Sequence, residues 1–178
     1  MRARVLARWA REHLREALGG PVATPPHAAW CMELGATFVT LRRRDGELQG
    51  CIGTLEARRS LVHDVAHNAV AAATRDPRSA PLALAGLADV HVELSILSAL
   101  APLAGPDEIR AGIDGIVLRH GLHRATFLPA MWERFRERTQ FLAVLKQKAG
   151  LPRGLPDAEL QLWRYTVEKA IDTAPEAA

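Results

Sequence analysis

The amino-acid sequence predicts an α+β fold in which a mainly antiparallel sheet is flanked by helices. Alternating apolar segments stand next to strong turn signals, of which Asp45-Gly46 is the clearest, and this arrangement is typical of hairpins. Segments with apolar residues at three- and four-residue steps lie among them and predict helices. Neither a βαβ dinucleotide unit nor a G-x-G-x-x-G or Walker A pattern occurs, which disfavours a parallel nucleotide-binding sheet.

The first elements are a helix and a hairpin. Apolar residues recur at helical spacing over residues 5–18. Gly19-Gly20-Pro21 ends that helix, because glycine adopts the left-handed cap and proline cannot continue it. Residues 36–43 and 47–54 are the predicted strands of the hairpin, which turns at Asp45-Gly46.

A second helix and the clearest strand follow. Ser60 is the predicted N-cap of a helix over residues 61–75, which Asp76-Pro77 ends. Apolar residues at positions 90, 92, 94 and 96 alternate with His91, Glu93, Ser95 and Leu97. The polar face of this strand presents His91, Glu93 and Ser95.

The remaining elements are shorter and complete one domain of two closely packed lobes. A chain of 178 residues is too short for two large independent domains. The predicted domain covers residues 1–172 and is followed by a frayed tail at residues 173–178. The predicted elements are a helical turn at residues 106–110, strands at 113–119 and 123–128, a helix that Pro129 opens, a helix at 139–148 and a closing strand at 161–168.

Composition and cysteine content predict a cytoplasmic protein. Hydrophobic residues make up 48% and charged residues 24% of the chain, the balance of an ordinary globular protein. The two cysteines, Cys31 and Cys51, match no C-x-x-C metal spacing, so we expect reduced thiols. Charged residues interrupt the apolar runs near the start, and no segment approaches the roughly 18 consecutive apolar residues needed to cross a bilayer. We therefore expect neither a signal peptide nor a membrane span.

Arginine-rich segments raise the question of nucleic-acid binding. Arg42-Arg43-Arg44 and Arg58-Arg59 could contact phosphate, but acidic residues are interleaved with them and base-stacking aromatics are absent nearby. The net charge of +3 is too mild to indicate a nucleic-acid partner. A solvated hairpin rim is therefore the favoured interpretation.

The octet Glu47–Thr54 is the candidate functional site. Alternation along this strand divides its side chains between two faces. If the face with Leu48 and Ile52 is core, then Cys51 and Gln49 point to a second layer or a cleft. Cys51 is then a nucleophile or a thiol that contacts a ligand. The alternative is a small apolar side chain packed in the core.

The residues around the thiol also have two interpretations each. Gly50 and Gly53 form a bulge, or they leave backbone N–H groups free to hold an oxyanion. Thr54 is a hydrogen-bond donor or simply a β-branched strand end. A nucleophile needs a base within hydrogen-bond reach, and Glu93 or His91 could face the thiol from a neighbouring strand. We place Glu93 first.

Two further groups of side chains invite a functional interpretation. Asp76 and Arg78 form an ion pair that orders a loop, or they line the cleft. His63 and His67 share a helical face, as in a zinc site. However, Asp64 stands where a metalloprotease motif has glutamate, and no third ligand is evident. We therefore predict neither a metal nor a cofactor.

These motifs together resemble the AMMECR-type domain, the family that includes protein A of the bacterial AmmeMemoRadiSam system. The family signature Leu-Arg-Gly-Cys-Ile-Gly-Thr appears here as Leu48-Gln49-Gly50-Cys51-Ile52-Gly53-Thr54. Gln49 replaces the family arginine, and Ser79 replaces an aromatic residue. Further matches, which extend from about Ala36 to Glu168, are Asn68-Ala69, Asp76-Pro77-Arg78, residues 92–97, Gly115-Ile116, residues 125–129, Lys148-Ala149-Gly150 and Arg164-Tyr165.

The resemblance implies a two-lobed α+β fold with a cleft beside the cysteine motif. It also implies an association with a Memo-like protein of dioxygenase fold and a radical-SAM protein, without an assigned reaction. If the family arginine binds an anion, the neutral Gln49 weakens that role. We predict Cys51 and Glu93 as catalytic residues, and as residues of the binding cleft Gln49, Gly50, Gly53, Thr54, Asp76, Arg78 and His91.

Our leading hypothesis is a cytoplasmic protein that acts with those partners in a modification pathway. Its cleft at Cys51 would bind a small molecule or carry out thiol-dependent chemistry. The alternative is a non-catalytic adaptor that docks the partner proteins.

Overall fold

The computed structural model describes residues 1–173 and confirms the predicted α+β class, with antiparallel sheets and flanking helices. Apart from Thr173, the predicted frayed tail lies outside the described residues. No helix of the described chain is long and apolar enough to span a bilayer. The helices are α1 (Arg2–Ala17), α2 (Leu61–Thr74) and α3 (Arg138–Lys148), and the strands are β1 (Leu34–Arg43), β2 (Leu48–Gly53), β3 (Arg59–Ser60), β4 (Val90–Leu97), β5 (Ala101–Leu103), β6 (Gly115–His120), β7 (His123–Phe127), β8 (Gln161–Tyr165) and β9 (Val167–Asp172).

The chain forms two compact units, each with its own sheet. The first unit comprises Met1–Leu97 and, of the later described residues, 168–173, and the second comprises Ser98–Val167. In the first sheet the strand order is β2-β1-β4-β9, with β3 paired to the start of β1. In the second sheet the order is β5-β8-β6-β7.

Helices α1 and α2 pack on one face of the first sheet and enclose its core. The apolar positions of α1 recur at three- and four-residue steps, so that one side of the helix is buried while Arg4, Arg8 and Arg15 are exposed on the other. Alternate residues of β1 and β4 meet these helices and are fully buried. The centre of this core consists of Leu6, Leu14, Val39, Leu41, Val65, Val92 and Leu94.

The second unit has a separate core between its sheet and α3. Trp132 stacks on Phe141 with ring centroids 3.9 Å apart, and the indole N–H of Trp132 donates to the carbonyl of Asp114 at 2.7 Å. Ile116 and Leu118 of β6 complete the contact surface beneath α3 and are fully buried. The aromatic stack thus fixes the segment before α3 against the sheet.

The local turn signals are confirmed. Gly19 follows α1 with a φ of 96°, the left-handed cap expected of glycine. Gly46 has a φ of 91° in the hairpin between β1 and β2, where its N–H donates to the carbonyl of Arg43 at 2.9 Å. Ser60 does precede α2, but its hydroxyl lies 2.7 Å from the ring of His63 and makes no cap bond.

The predicted closing strand at residues 161–168 is wrong, because this segment is two strands in two different sheets. The break falls at Thr166, whose backbone N–H and carbonyl both bond to Ser98. These bonds replace the ladder contacts that a continuous strand would make. The helix predicted to open at Pro129 is a short 3-10 helix, Pro129–Glu133.

Candidate functional site

Strand register places Cys51, Thr40 and Glu93 in one row across the first sheet. Thr40 on β1 is the partner of Cys51 on β2 and also of Glu93 on β4. Side chains of directly paired residues lie on the same face, and those of the residues next to them lie on the other. Since Val39 and Leu41 are buried with α1 and α2, the row lies on the face away from those helices.

Cys51 is partly buried, and two polar side chains contact it, one at the sulfur and one at the backbone carbonyl. The hydroxyl of Thr40 donates to Sγ at 3.1 Å. The guanidinium of Arg78 donates to the Cys51 carbonyl at 3.3 Å. The hydrogen bond to Asp76 raises the pKa of Arg78. A permanent cation therefore lies at the backbone of Cys51.

Asp76 anchors this arrangement from a buried position. Its carboxylate accepts a hydrogen bond from the backbone N–H of Cys51 at 2.8 Å and two from the Arg78 side chain at 2.9 and 2.6 Å. The Arg78 hydrogen bonds lower the pKa of Asp76 far below its ordinary value, although burial acts in the opposite direction. The ion pair therefore orders the loop, as one of the two interpretations predicts, and it also holds the backbone of Cys51.

Gln49 does not share the environment of Cys51. The register changes from Leu41 with Gly50 to Arg42 with Leu48, so Gln49 is the extra residue of a bulge. The Gln49 amide is buried, where it accepts two bonds from Arg43 at 3.0 and 2.5 Å and donates to the Ala80 carbonyl at 2.8 Å. The predicted alternation is therefore wrong at Gln49.

The two glycines allow close approach and do not bend the chain sharply. Neither has a left-handed φ. A Cβ on Gly50 would lie 2.0 Å from the carbonyl oxygen of Ala72 in α2, and one on Gly53 would lie 2.2 Å from the ring of Phe38. The neighbouring N–H groups of Cys51 and Thr54 are bonded within the protein. The motif thus does not hold those two donors free for an oxyanion.

Glu93 is not within reach of the thiol, because β1 lies between β2 and β4. The prediction that it faces Cys51 from a neighbouring strand is wrong. Its two oxygens are held by Arg42 at 3.0 Å and Lys169 at 3.1 Å. Burial raises the pKa of Glu93, but the hydrogen bonds of these two cations outweigh it and lower the pKa below its usual value. His91 lies further along the same face, opposite Arg42.

A second buried carboxylate, Asp64 of α2, was missed by the sequence interpretation. Its Oδ2 accepts hydrogen bonds from the hydroxyl of Thr54 at 2.7 Å, the hydroxyl of Thr37 at 2.7 Å and the amide of Asn68 at 3.0 Å. Its Oδ1 has no hydrogen-bond partner and lies 3.5 Å from the guanidinium of Arg59. The available signal was the pair Asp64 and Asn68, two polar residues one turn apart on an apolar helix face.

Asp64 and the two histidines next to it in the sequence lie on different faces of α2. His63 and His67 are exposed, whereas Asp64 turns into the protein. Among residues 1–173, no group of three His, Cys, Asp or Glu side chains is placed to hold a metal ion. The three polar residues of this helix therefore do not converge on one point.

Comparison with known proteins identifies related chains along most of the sequence. A family model described as AMMECR1 matches residues 7–170. A Thermotoga maritima protein is 35% identical over 150 residues, which cover 84% of each chain. A Methanothermobacter thermautotrophicus protein is 34% identical over 139 residues, or 74% of this chain and 72% of its own. The crystal structure of an uncharacterised protein from Pyrococcus horikoshii superimposes with a TM-score of 0.88 at 29% identity, over 97% of this chain and 92% of that one.

Proposed function

Because the chain belongs to the AMMECR1 family, we propose that the row around Cys51 binds a small molecule in contact with the thiol or carries out thiol-dependent chemistry on it. The environment of the sulfur supports this proposal. A thiol that serves only as packing is enclosed by apolar side chains, as Cys31 is in the first core at 0% exposure. Cys51 instead is partly exposed, with the Thr40 hydroxyl bonded to its sulfur and the Arg78 guanidinium bonded to its carbonyl.

The exposed cation near the row favours an anionic ligand. Arg78 is 58% exposed on its side chain, so its guanidinium can meet a ligand from solvent while Asp76 holds it in place. Glu93 is held by two cations and separated from the sulfur by Thr40, so it does not take a proton from the thiol directly. Stabilisation of negative charge at this site therefore comes from Arg78.

We place this activity in the cytoplasm, in a modification pathway with a Memo-like protein and a radical-SAM protein. The support for these partners is the resemblance of the cysteine motif to that of the AmmeMemoRadiSam protein A. Replacing Cys51→Ser in cells that carry both partners should abolish the pathway product while the protein level stays constant. Unchanged product would contradict a chemical role and would favour the adaptor, which docks partners without using the thiol.

Native-state alkylation tests the site without knowledge of the substrate. The chain has two cysteines, so Cys31 serves as an internal control in the same molecule. Iodoacetamide should modify Cys51 in the folded protein and reach Cys31 only after unfolding, as peptide mass spectrometry would show. Arg78→Gln should slow the reaction of Cys51 with iodoacetamide. The control is Arg58→Gln, which changes an exposed arginine paired with Glu56 and should leave the rate unchanged. Equal labelling of both thiols, or none at Cys51, would contradict the proposal.

A further inference from the structure

The second unit contains an open apolar groove with a cationic rim, and it is separate from the residues around Cys51. The groove encloses about 350 Å³. Phe127, at the end of β7, forms its floor, and the segment after Pro129 and helix α3 form its two walls. Every residue that lines it belongs to Ser98–Val167.

Each wall presents three side chains at helical spacing. Val144, Gln147 and Lys148 occupy positions i, i+3 and i+4 of α3 and therefore share one face of that helix. The opposite wall repeats the spacing with Met131, Arg134 and Phe135. On both walls an apolar side chain faces the groove and a cation lies at its edge.

The walls are held firmly, so the groove is present without a ligand. The N–H groups of Arg134 and Phe135 both donate to the carbonyl of Met131, at 3.1 and 3.0 Å. Phe135 stacks on Phe127 with ring centroids 6.1 Å apart, and Phe127 meets the edge of Phe141 at 5.4 Å. A preformed groove lowers the entropy lost when a ligand binds.

The rim carries positive charge above aromatic faces. The guanidinium of Arg134 lies 5.4 Å from the centre of the Phe135 ring, and the ammonium of Lys148 lies 5.0 Å from that of Phe127. No acidic residue lines the groove. An apolar guest flanked by carboxylates complements this pattern, because its apolar part displaces water from the floor while its charges meet the rim.

We propose that this groove docks an acidic amphipathic segment of a partner protein, with one large apolar or aromatic side chain between Met131 and Val144 and carboxylates beside Arg134, while Lys148 keeps its bond to the Thr126 carbonyl at 2.9 Å. The proposal goes beyond the role of Cys51 and does not depend on it. It applies to a peptide segment because the groove is open along one side and is lined by helix α3 and by the segment after Pro129.

A random peptide library displayed on phage and selected against the full chain tests the proposal. Selected peptides should carry a large apolar residue flanked by Asp or Glu. Binding of a selected peptide should weaken about tenfold or more in Arg134→Glu and should fall with rising salt. The matched control is Arg136→Glu, an exposed arginine two residues away that does not line the groove, and it should change affinity by less than about twofold.

Other outcomes would overturn the proposal. Peptides without acidic residues, or equal affinity for wild type and Arg134→Glu, would contradict an acidic segment. Self-association in analytical ultracentrifugation that is lost in Arg134→Glu would assign the groove to a second copy of this chain instead. Cys51→Ser should bind the selected peptide like wild type, so failure of the thiol proposal would leave this result unaffected.

Discussion

Asp76 and Asp64 are both buried beside strand β2, but each balances its negative charge in a different way. Asp76 pairs with Arg78, a cation two residues along the chain, and holds the backbone of Cys51. Asp64 receives its hydrogen bonds from neutral groups and holds the side chain of Thr54, and its nearest cation is Arg59, 3.5 Å from the other carboxylate oxygen. The two carboxylates thus hold the middle of the cysteine motif at Cys51 and its end at Thr54.

The difference shows how strongly the positions of Cys51 and Thr54 each depend on the buried groups around them. If Asp76 is removed, the half-exposed Arg78 can still be solvated by water. If Asp64 is removed, buried donors on α2 and β1 lose their acceptor in a place that water does not reach. A network of neutral donors around one carboxylate is therefore expected to be the more costly one to break.

The largest effect is expected for Asp64→Ala. The hydroxyls of Thr37 and Thr54 and the backbone N–H of Thr37 lose their common acceptor, so we expect the free energy of unfolding to fall by about 3–4 kcal/mol. Urea denaturation would measure it. His67→Ala on the exposed face of the same helix is the control and should change stability by less than about 0.5 kcal/mol. A loss for Asp64→Ala no larger than for this control would reject the network.

Asp76→Asn should have a smaller effect. The amide no longer neutralises Arg78, and one of the bonds to Arg78 or to the Cys51 N–H is lost, so we expect a decrease of about 2 kcal/mol. The same urea titration would measure it. If Asp76→Asn destabilised the protein more than Asp64→Ala, the expected ranking of the two carboxylates would be reversed.

Acid should reduce the contribution of Asp76. Its hydrogen bonds with Arg78 lower the pKa of Asp76 in the folded protein below the value of about 3.9 in an unfolded chain. The unfolded state then takes up protons first, so the stabilisation is fully present above about pH 5 and is progressively lost as the pH falls below about 4. Thermal unfolding should therefore show a gap between wild type and Asp76→Asn that narrows in acid. A gap of constant width would argue against the ion pair.

Thr54→Val should have the smallest effect of this series. It removes one hydrogen bond to Asp64 while keeping the branched shape, so we expect a loss of about 1 kcal/mol. Thr54→Ser keeps the hydroxyl and serves as the control, with a smaller loss. If the two variants were equally stable, the hydroxyl of Thr54 would not contribute to the network.

The parts of this site that follow from the sequence are those set by residues close together in the chain. Asp45-Gly46 fixes the hairpin, and the Asp76–Arg78 pair spans only two residues, so both could be predicted. The order of strands is set by distant contacts. The sequence therefore did not show that β1 separates Glu93 from Cys51.

Two further departures have the same origin. The bulge at Gln49 depends on how β2 fits against β1, and its burial depends on Arg43 and Ala80. Asp64 looks like an ordinary helix residue until the packing of α2 on β1 brings Thr37 to it. Polar residues on an apolar helix face are nonetheless a usable signal, because burial without partners is costly.

The contact between Gly53 and Phe38 ties two positions of the sequence together. The aromatic ring fills the volume that any side chain at position 53 would require. In the second sheet the ring of Tyr165 covers Gly115 in the same manner. A larger residue at either glycine can thus be tolerated only after the aromatic partner has become smaller, so each pair should evolve as one unit, with neither member free to vary alone.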